Sequence, residues 1–518
     1  MEAARDMNST RPEGLQQWIM IAGGILVLSL FAFLNLLSFH PIPLVLILAV
    51  PLLISACVIF VKRPIYAFLA LILLLPLHAL AMSLLVTYSG APELAIKVFA
   101  AWKEAVVLVV FSAVVIRQLR STDKIELTLA DWLAILYLFI ICMLGLTPGL
   151  QEDREPLPIR LYGIRDAGFL IVVYFTGRFT PLVSKDLGKV LRALYAVGVF
   201  SALIGFFEYF FLPVQVLLVV GYVNYTRWLG TTFTGALGLP ENLYVELGGA
   251  LVRRMFSIFL MSNIYAQCLV LIVPAIAYIR ATSSRRKALI ATFALGATLV
   301  ALFLTITRAS IVACILALFI VGYLLRDKLT RRIAGFISGA IVIGALGIVL
   351  YRPSVGVVTT SDTSIESHFN VWAESIQTII DSPIIGLGAG TSGFASTRDK
   401  VNGRENTWGG ENQYFVIGVE FGLIALLLHL GFIYAILRGS LRAFHAQTDW
   451  GPRGVCLVAF AGGVGVAINA ATTAEWAVTF PTFVFWWIAG MSIQMAAKGE
   501  AIQTMKIPVQ PAVAPEAL

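Results

Sequence analysis

The sequence predicts an all-α, polytopic helical membrane protein, and three observations carry that prediction. Of 518 residues, 59% are apolar and only 13% charged, with a mean hydropathy of +0.88, outside the range of soluble domains. The apolar runs are mostly 17 to 25 residues long, which at a helical rise of 1.5 Å matches a hydrocarbon core of roughly 30 Å. They also lack the period-two alternation of barrel strands.

Fourteen runs qualify as spans, at about 17–38, 41–61, 65–88, 98–116, 127–147, 164–181, 190–212, 258–279, 288–305, 310–325, 333–351, 413–437, 454–470 and 478–497. The first two and last two are the weakest by composition, so about 12 to 14 transmembrane helices are expected. The opening "MEAARDMNSTRPEGLQQ" precedes an apolar run too long for a signal-peptide core, so the first span is expected to be retained. Residues 1–16 then form a cytoplasmic segment, 17–497 a single transmembrane domain, and the Pro- and Ala-rich 498–518 a disordered cytoplasmic tail.

Basic residues test the topology, because cytoplasmic loops collect Lys and Arg. With the N-terminus inside, that side holds 24 of the 37 basic residues and the opposite side 12, with Lys103 inside a span. Both termini are therefore expected in the cytoplasm. The net charge of +8 is mainly a topology signal and gives no reason to expect a nucleic-acid partner.

All five cysteines fall within expected spans, which argues against a disulfide framework. The five histidines form no ligand set, and no HExxH or Cys/His spacing occurs, so neither a metal site nor a cofactor is expected.

Two outside segments, 213–257 and 352–412, exceed ordinary connection lengths, and function is expected there. In the second, "IESHFNVWAESIQTIIDSP" spaces Phe369, Trp372, Ile376 and Ile379 along one face of a helix ending before Pro383, an amphipathic helix at the membrane surface. His368 lies on it. The following "IIGLGAGTSGF" must be a turn or loop, and with no strand before it, it is not a nucleotide cradle.

Ten of the twelve outside basic residues are arginine. A guanidinium fork grips phosphate or carboxylate through two hydrogen bonds and stays charged. Arg308 in "LTITRASIVA" sits between two apolar spans with almost no loop around it. Arg165 in "GIRDAG" and Arg253, Arg254 and Asn263 in "RRMFSIFLMSN" repeat the pattern at other outer ends, with Arg160 nearby. Each could snorkel or anchor lipid phosphates; together they suggest a shared anionic ligand. Within the spans, Lys103, Glu104 and Glu208 are costly in hydrocarbon and should find partners, the two glutamates among these arginines. Asp131 is expected to be a helix-start acid.

In order, "LYGIRDAGFL", "RRMFSIFLMSNIYAQCL", "LTITRASIVACILAL", "HFNVWAESIQTIIDSPIIGLGAG" and "ENQYFVIGVEFGLIALLL" resemble the O-antigen ligase and polymerase superfamily of bacterial envelope glycan assembly, over roughly 95–495. The resemblance implies a GT-C-like helical enzyme of the inner membrane with large periplasmic loops, 17–497 being its catalytic domain. It would transfer glycan from an undecaprenyl-pyrophosphate donor to an acceptor hydroxyl without nucleotide sugar or metal. The lipid-linked donor, a glycan or lipid acceptor, the membrane and a chain-length regulator protein are the partners implied.

Two positions depart from the family pattern. Ligases carry histidine before the Asn of the last motif, where this chain has Glu411, whose carboxylate could serve as the base instead. Members often have arginine four residues before the tryptophan of the amphipathic helix, where this chain has His368. The first departure favours a repeat-unit polymerase over a lipid A core ligase or protein O-oligosaccharyltransferase. A lipid-linked glycan transporter or flippase is the rival of another class, and no internal repeat supports it. In "GGENQYFVIGVEFG", Glu411 and Asn412 are then candidates for the acceptor side, with Tyr414 and Trp372 as substrate contacts. Helix capping and interfacial anchoring explain the same residues.

Overall fold

The computed structural model describes residues 55–121, 126–147, 155–230, 235–240, 243–247, 250–336, 338–339, 360–397, 412–473 and 479–505. Two units divide the chain, Met1–Arg63 and Pro64–Leu518. In the first, residues 55–62 are helical. The expected span 17–38, most of 41–61, most of 333–351 and the tail beyond 505 lie outside the described residues.

The second unit is a helical bundle. Its apolar helices are α1 (Pro64–Tyr88), the pair α2 (Glu93–Ala100) and α3 (Trp102–Arg120), α4 (Leu129–Leu146), α5 (Leu157–Phe179) and α6 (Ser184–Phe211). After a short helix α7 (Tyr222–Trp228) come α8 (Ser262–Thr282), α9 (Arg285–Leu304) and α10 (Arg308–Leu324). The amphipathic α11 (Thr360–Asp381) precedes α12 (Gln413–Ala446), α13 (Trp450–Ala470) and α14 (Thr479–Met505). Among the described residues eight helices are long and apolar enough to cross a membrane, or nine if the pair α2 and α3, bent by 51°, counts as one span. The chain is a multi-pass helical membrane protein; among the described residues the expected span 98–116 falls on the bent pair, and 164–181 and 310–325 fall on α5 and α10, which are not among those eight or nine.

α8 and α14 form the centre and are the most deeply buried of these helices. α14 packs most extensively on α5. Small residues permit that contact: a Cβ on Gly177 would stand 2.1 Å from the Trp487 carbonyl oxygen, and one on Gly490 2.1 Å from that of Tyr174. Lipid gives helices little hydrophobic reason to associate, so close backbone packing takes its place.

Asp131 starts α4 as expected, in a capping box with Thr128. It also accepts from Tyr174 Oη (2.7 Å) and Arg178 Nε (3.2 Å) on α5, so the cap doubles as a buried tie between helices. Residues after α6 build a small satellite core, in which Tyr222, Tyr225, Leu239, Leu243 and Phe256 pack with Met82 of α1 and Ile96 of α2. A two-stranded antiparallel hairpin, β1 (Tyr244–Leu247) and β2 (Ala250–Arg253), pairs Tyr244 with Arg253, a small β element that helical periodicity does not foretell.

Candidate active site

β2 delivers Arg253 to the last turns of α6, where Glu208 takes its guanidinium in an ion pair. The same carboxylate accepts the backbone N–H groups of Phe256 and Ser257, both at 3.2 Å. Arg253 also donates to the Leu212 carbonyl and lies 5.5 Å over the Phe256 ring. Three bonds to one buried carboxylate fix the approach of the 254–260 segment to α6.

Arg254, next in the chain, turns to the connection between α9 and α10. Its Nε donates to the Thr305 carbonyl (2.7 Å) and its Nη2 to Thr307 Oγ1 (2.8 Å). Arg308, the first residue of α10, is exposed. Burial first, and then the charge of Arg308, lower Arg254 to about 10. It therefore stays protonated at neutral pH while two like charges press on each other, an arrangement that an anion relieves.

Two residues on, Ser310 Oγ donates to Asn469 Oδ1 (2.9 Å) near the end of α13. From the same turns, the Ala467 carbonyl accepts Tyr414 Oη (2.6 Å), one residue into α12. The start of α10, the end of α13 and the start of α12 are thus stitched together. Asn412 caps α12, its Oδ1 accepting the N–H groups of Tyr414 (2.9 Å) and Phe415 (3.3 Å). Trp372 of α11 meets Phe415 edge to face, with ring centroids 5.9 Å apart.

α11 packs differently from its expected stripe. Trp372, Ser375, Thr378 and Ile379 turn toward the protein, while Ile376 is 46% exposed and Ile380 62%. The hydroxyls of Ser375 and Thr378 are satisfied four residues back along the helix, so they can sit against α12 without an unmet donor. Helical spacing alone does not distinguish these two apolar edges.

Arg165 is on α5, its side chain 42% exposed, and it grips Asp166 Oδ1 through Nε (3.0 Å) and Nη2 (2.6 Å). Glu104 takes its ion pair from its neighbour Lys103 (3.3 Å), correcting the expectation of an arginine partner, although Arg165 feels its charge. Lys103 Nζ is held in place by the Ala100 carbonyl (2.9 Å) and His78 Nε2 (3.4 Å), so a buried cation already stands beside Glu104. Arg160 is half-buried in the first turn of α5. Asn263 is half-buried at the start of α8, and its Oδ1 accepts no hydrogen bond among the described residues. His368 lies on α11 but its side chain is outside the described residues, as is all of Glu411.

Sequence reasoning missed Glu420, Asp166 and the Ser310 and Asn469 pair. Glu420 was visible as the single acid in the apolar "VIGVEFG". The glycine-rich loop gives it meaning, because Ser392 donates to its Oε1 from both N and Oγ at 3.1 Å.

No curated protein matches the chain. Residues 291–430, from α9 to the middle of α12, match the family described as O-antigen ligase, Wzy_C. That stretch contains Arg308, α11, the glycine-rich loop and the cap of α12, whereas Arg165, Arg253 and Arg254 lie outside it. Over this segment the chain is similar to the O-antigen ligase family, in line with the resemblance to the O-antigen ligase and polymerase superfamily.

Proposed function

We propose that the protein polymerises undecaprenyl-pyrophosphate-linked oligosaccharide repeat units of an exopolysaccharide or O-antigen. The work is done at the periplasmic face of the bacterial inner membrane, with both termini cytoplasmic. The observation that carries this reading is the like-charged pair of Arg254 and Arg308 at the end of the bundle where the start of α12 also lies. An acceptor hydroxyl oxygen attacks the anomeric carbon of the donor while the bond from that carbon to the pyrophosphate oxygen breaks. Glu411 takes the hydroxyl proton, and the lipid pyrophosphate leaves as an anion held by Arg254 and Arg308. Arg160, Arg165 and Asn263 line the donor side, Arg253 braces it through its ion pair with Glu208, and Trp372 and Tyr414 line the glycan. His368 assists from α11. The transfer uses no metal.

Catalysis here is electrostatic: charge grows on the leaving pyrophosphate, and fixed guanidinium groups meet it without reorganising. A chain-length regulator would act from outside this chain.

The second reading, transfer of finished glycan to a lipid A core or protein acceptor, is favoured by the description of the matched family as ligase. Incubating purified protein with a lipid-linked repeat unit separates the two. A ladder of products spaced by one repeat unit supports the polymerase. Transfer only when lipid A core or a protein acceptor is added supports the ligase, and no transfer to any acceptor overturns both.

A further inference from the structure

Between α11 and α12 the chain runs through "SPIIGLGAGTS", and this loop is bonded to α12 at a break in the helix. Leu387 N donates to the Val419 carbonyl (2.7 Å), Gly388 N to that of Glu420 (3.2 Å), and Leu423 N returns to that of Pro383 (2.7 Å). The helix opens at Gly422, whose φ of +77° takes the left-handed region. A Cβ there would stand 2.6 Å from the Ile384 carbonyl oxygen. Residues 413–421 are thereby a separate half-helix, begun by the Asn412 cap and ended by the loop.

The carboxylate of Glu420 closes this arrangement from inside. It is 2% exposed, takes both Ser392 bonds, and accepts the Gly390 N–H as well. On its other side the loop abuts α5, where a Cβ on Gly163 would come within 2.3 Å of Gly390 N. Asp166 of α5 and Tyr137 of α4 are within electrostatic reach of Glu420. The carboxylate therefore sits where α4, α5, the loop and the half-helix meet.

We propose that Glu420 is a positioning residue: by holding the amides of Gly390 and Ser392 it locks the glycine-rich loop to the half-helix and so fixes where Asn412 and Tyr414 stand. Glu420 touches no reacting atom; it acts through the half-helix. Its role in turnover rests on the reading under Proposed function, whereas the lock itself does not.

The test measures amide hydrogen exchange and glycan transfer on the full chain in nanodiscs, for Glu420→Ala, Glu420→Gln and Glu420→Met. In Glu420→Ala, exchange rises in peptides covering 386–393 and 413–421 while other helices keep their protection. With it kcat for a lipid-linked repeat unit falls about a hundredfold at unchanged KM, the scale of a 1 Å misplacement. Glu420→Gln, which keeps an acceptor for Ser392, recovers to within about tenfold of wild type. Unchanged exchange in both peptides overturns the lock. A rise in KM alone overturns the positioning role in favour of substrate contact. If the wild type transfers no glycan, the exchange result still decides the lock, separating its fate from that of the polymerase reading. If Glu420→Ala does not fold, Glu420→Met, which keeps the volume and removes the acceptor, decides: increased exchange at 386–393 supports the lock and unchanged exchange overturns it.

Discussion

Arg254 and Arg308 hold two positive charges within electrostatic reach of each other around the turn from Thr305 to Thr307. Burial is the larger cause of the lowering of Arg254 to about 10, and Arg308 the second. A base whose folded pKa is lowered costs stability while it is charged, so the cost stands at neutral pH and is relieved as pH rises through about 10. A polyanion bound between the two groups relieves it at neutral pH instead. Inorganic pyrophosphate should therefore raise the Tm of the wild type at pH 7. The increment should shrink above about pH 10, as Arg254 loses its proton. Arg254→Gln should show little increment at any pH. An equal pyrophosphate shift in wild type and variant, read by differential scanning fluorimetry, would exclude Arg254 from the anion site.

Arg308 is exposed at the head of α10. Arg308→Ala should change stability by no more than about 0.5 kcal/mol, yet abolish glycan transfer. Arg308→Lys should be nearly as damaging, because an ammonium lacks the planar fork that holds two phosphate oxygens. Product ladders from the lysine variant matching those of the wild type would mark Arg308 as a lipid anchor.

Glu208 and Arg253 form the structural half of the arginine-rich end. Their side chains are only 4% and 16% exposed, so removing one partner leaves the other charged in a poor solvent. Arg253→Ala should cost about 3–5 kcal/mol, seen as a lowered Tm in detergent, with faster proteolysis of the 254–260 segment. Since Arg254 belongs to that segment, activity should fall with stability. A variant that keeps its Tm but loses activity would move Arg253 from scaffold to substrate contact.

Much of the architecture was legible because lipid imposes a crude rule, that apolar runs of the right length become helices. The pairing of Glu208 with Arg253 was also within reach, since a buried acid needs a cation and few are available. Glu104 shows the limit of the argument: its partner is the adjacent Lys103, and composition cannot rank candidates by distance. The break at Gly422 and the role of Glu420 escaped because they depend on backbone bonds between the 383–392 loop and α12, contacts with no periodic signature. The two edges of α11 escaped for a related reason. Ser375 and Thr378 satisfy their hydroxyls within the helix and so pack where isoleucine was expected, while Ile376 and Ile380 face outward.

Asn412 has two roles to separate, since the cap seen here explains its presence without any chemistry. Asn412→Ala should cost about 1 kcal/mol through two unsatisfied amides at the start of α12, and Asn412→Ser or Asn412→Asp should restore most of it. If the cap is its whole contribution, both restored variants polymerise normally. If its amide also holds the acceptor, stability returns in Asn412→Asp while kcat/KM stays low, because a carboxylate cannot donate the hydrogen bond an amide can. Its neighbour Glu411 gives the complementary result. Glu411→Gln should fold with unchanged Tm and form no polymer in a complemented deletion strain, since an amide cannot take the acceptor proton. Wild-type polymer length and yield in that strain would assign the base to another residue.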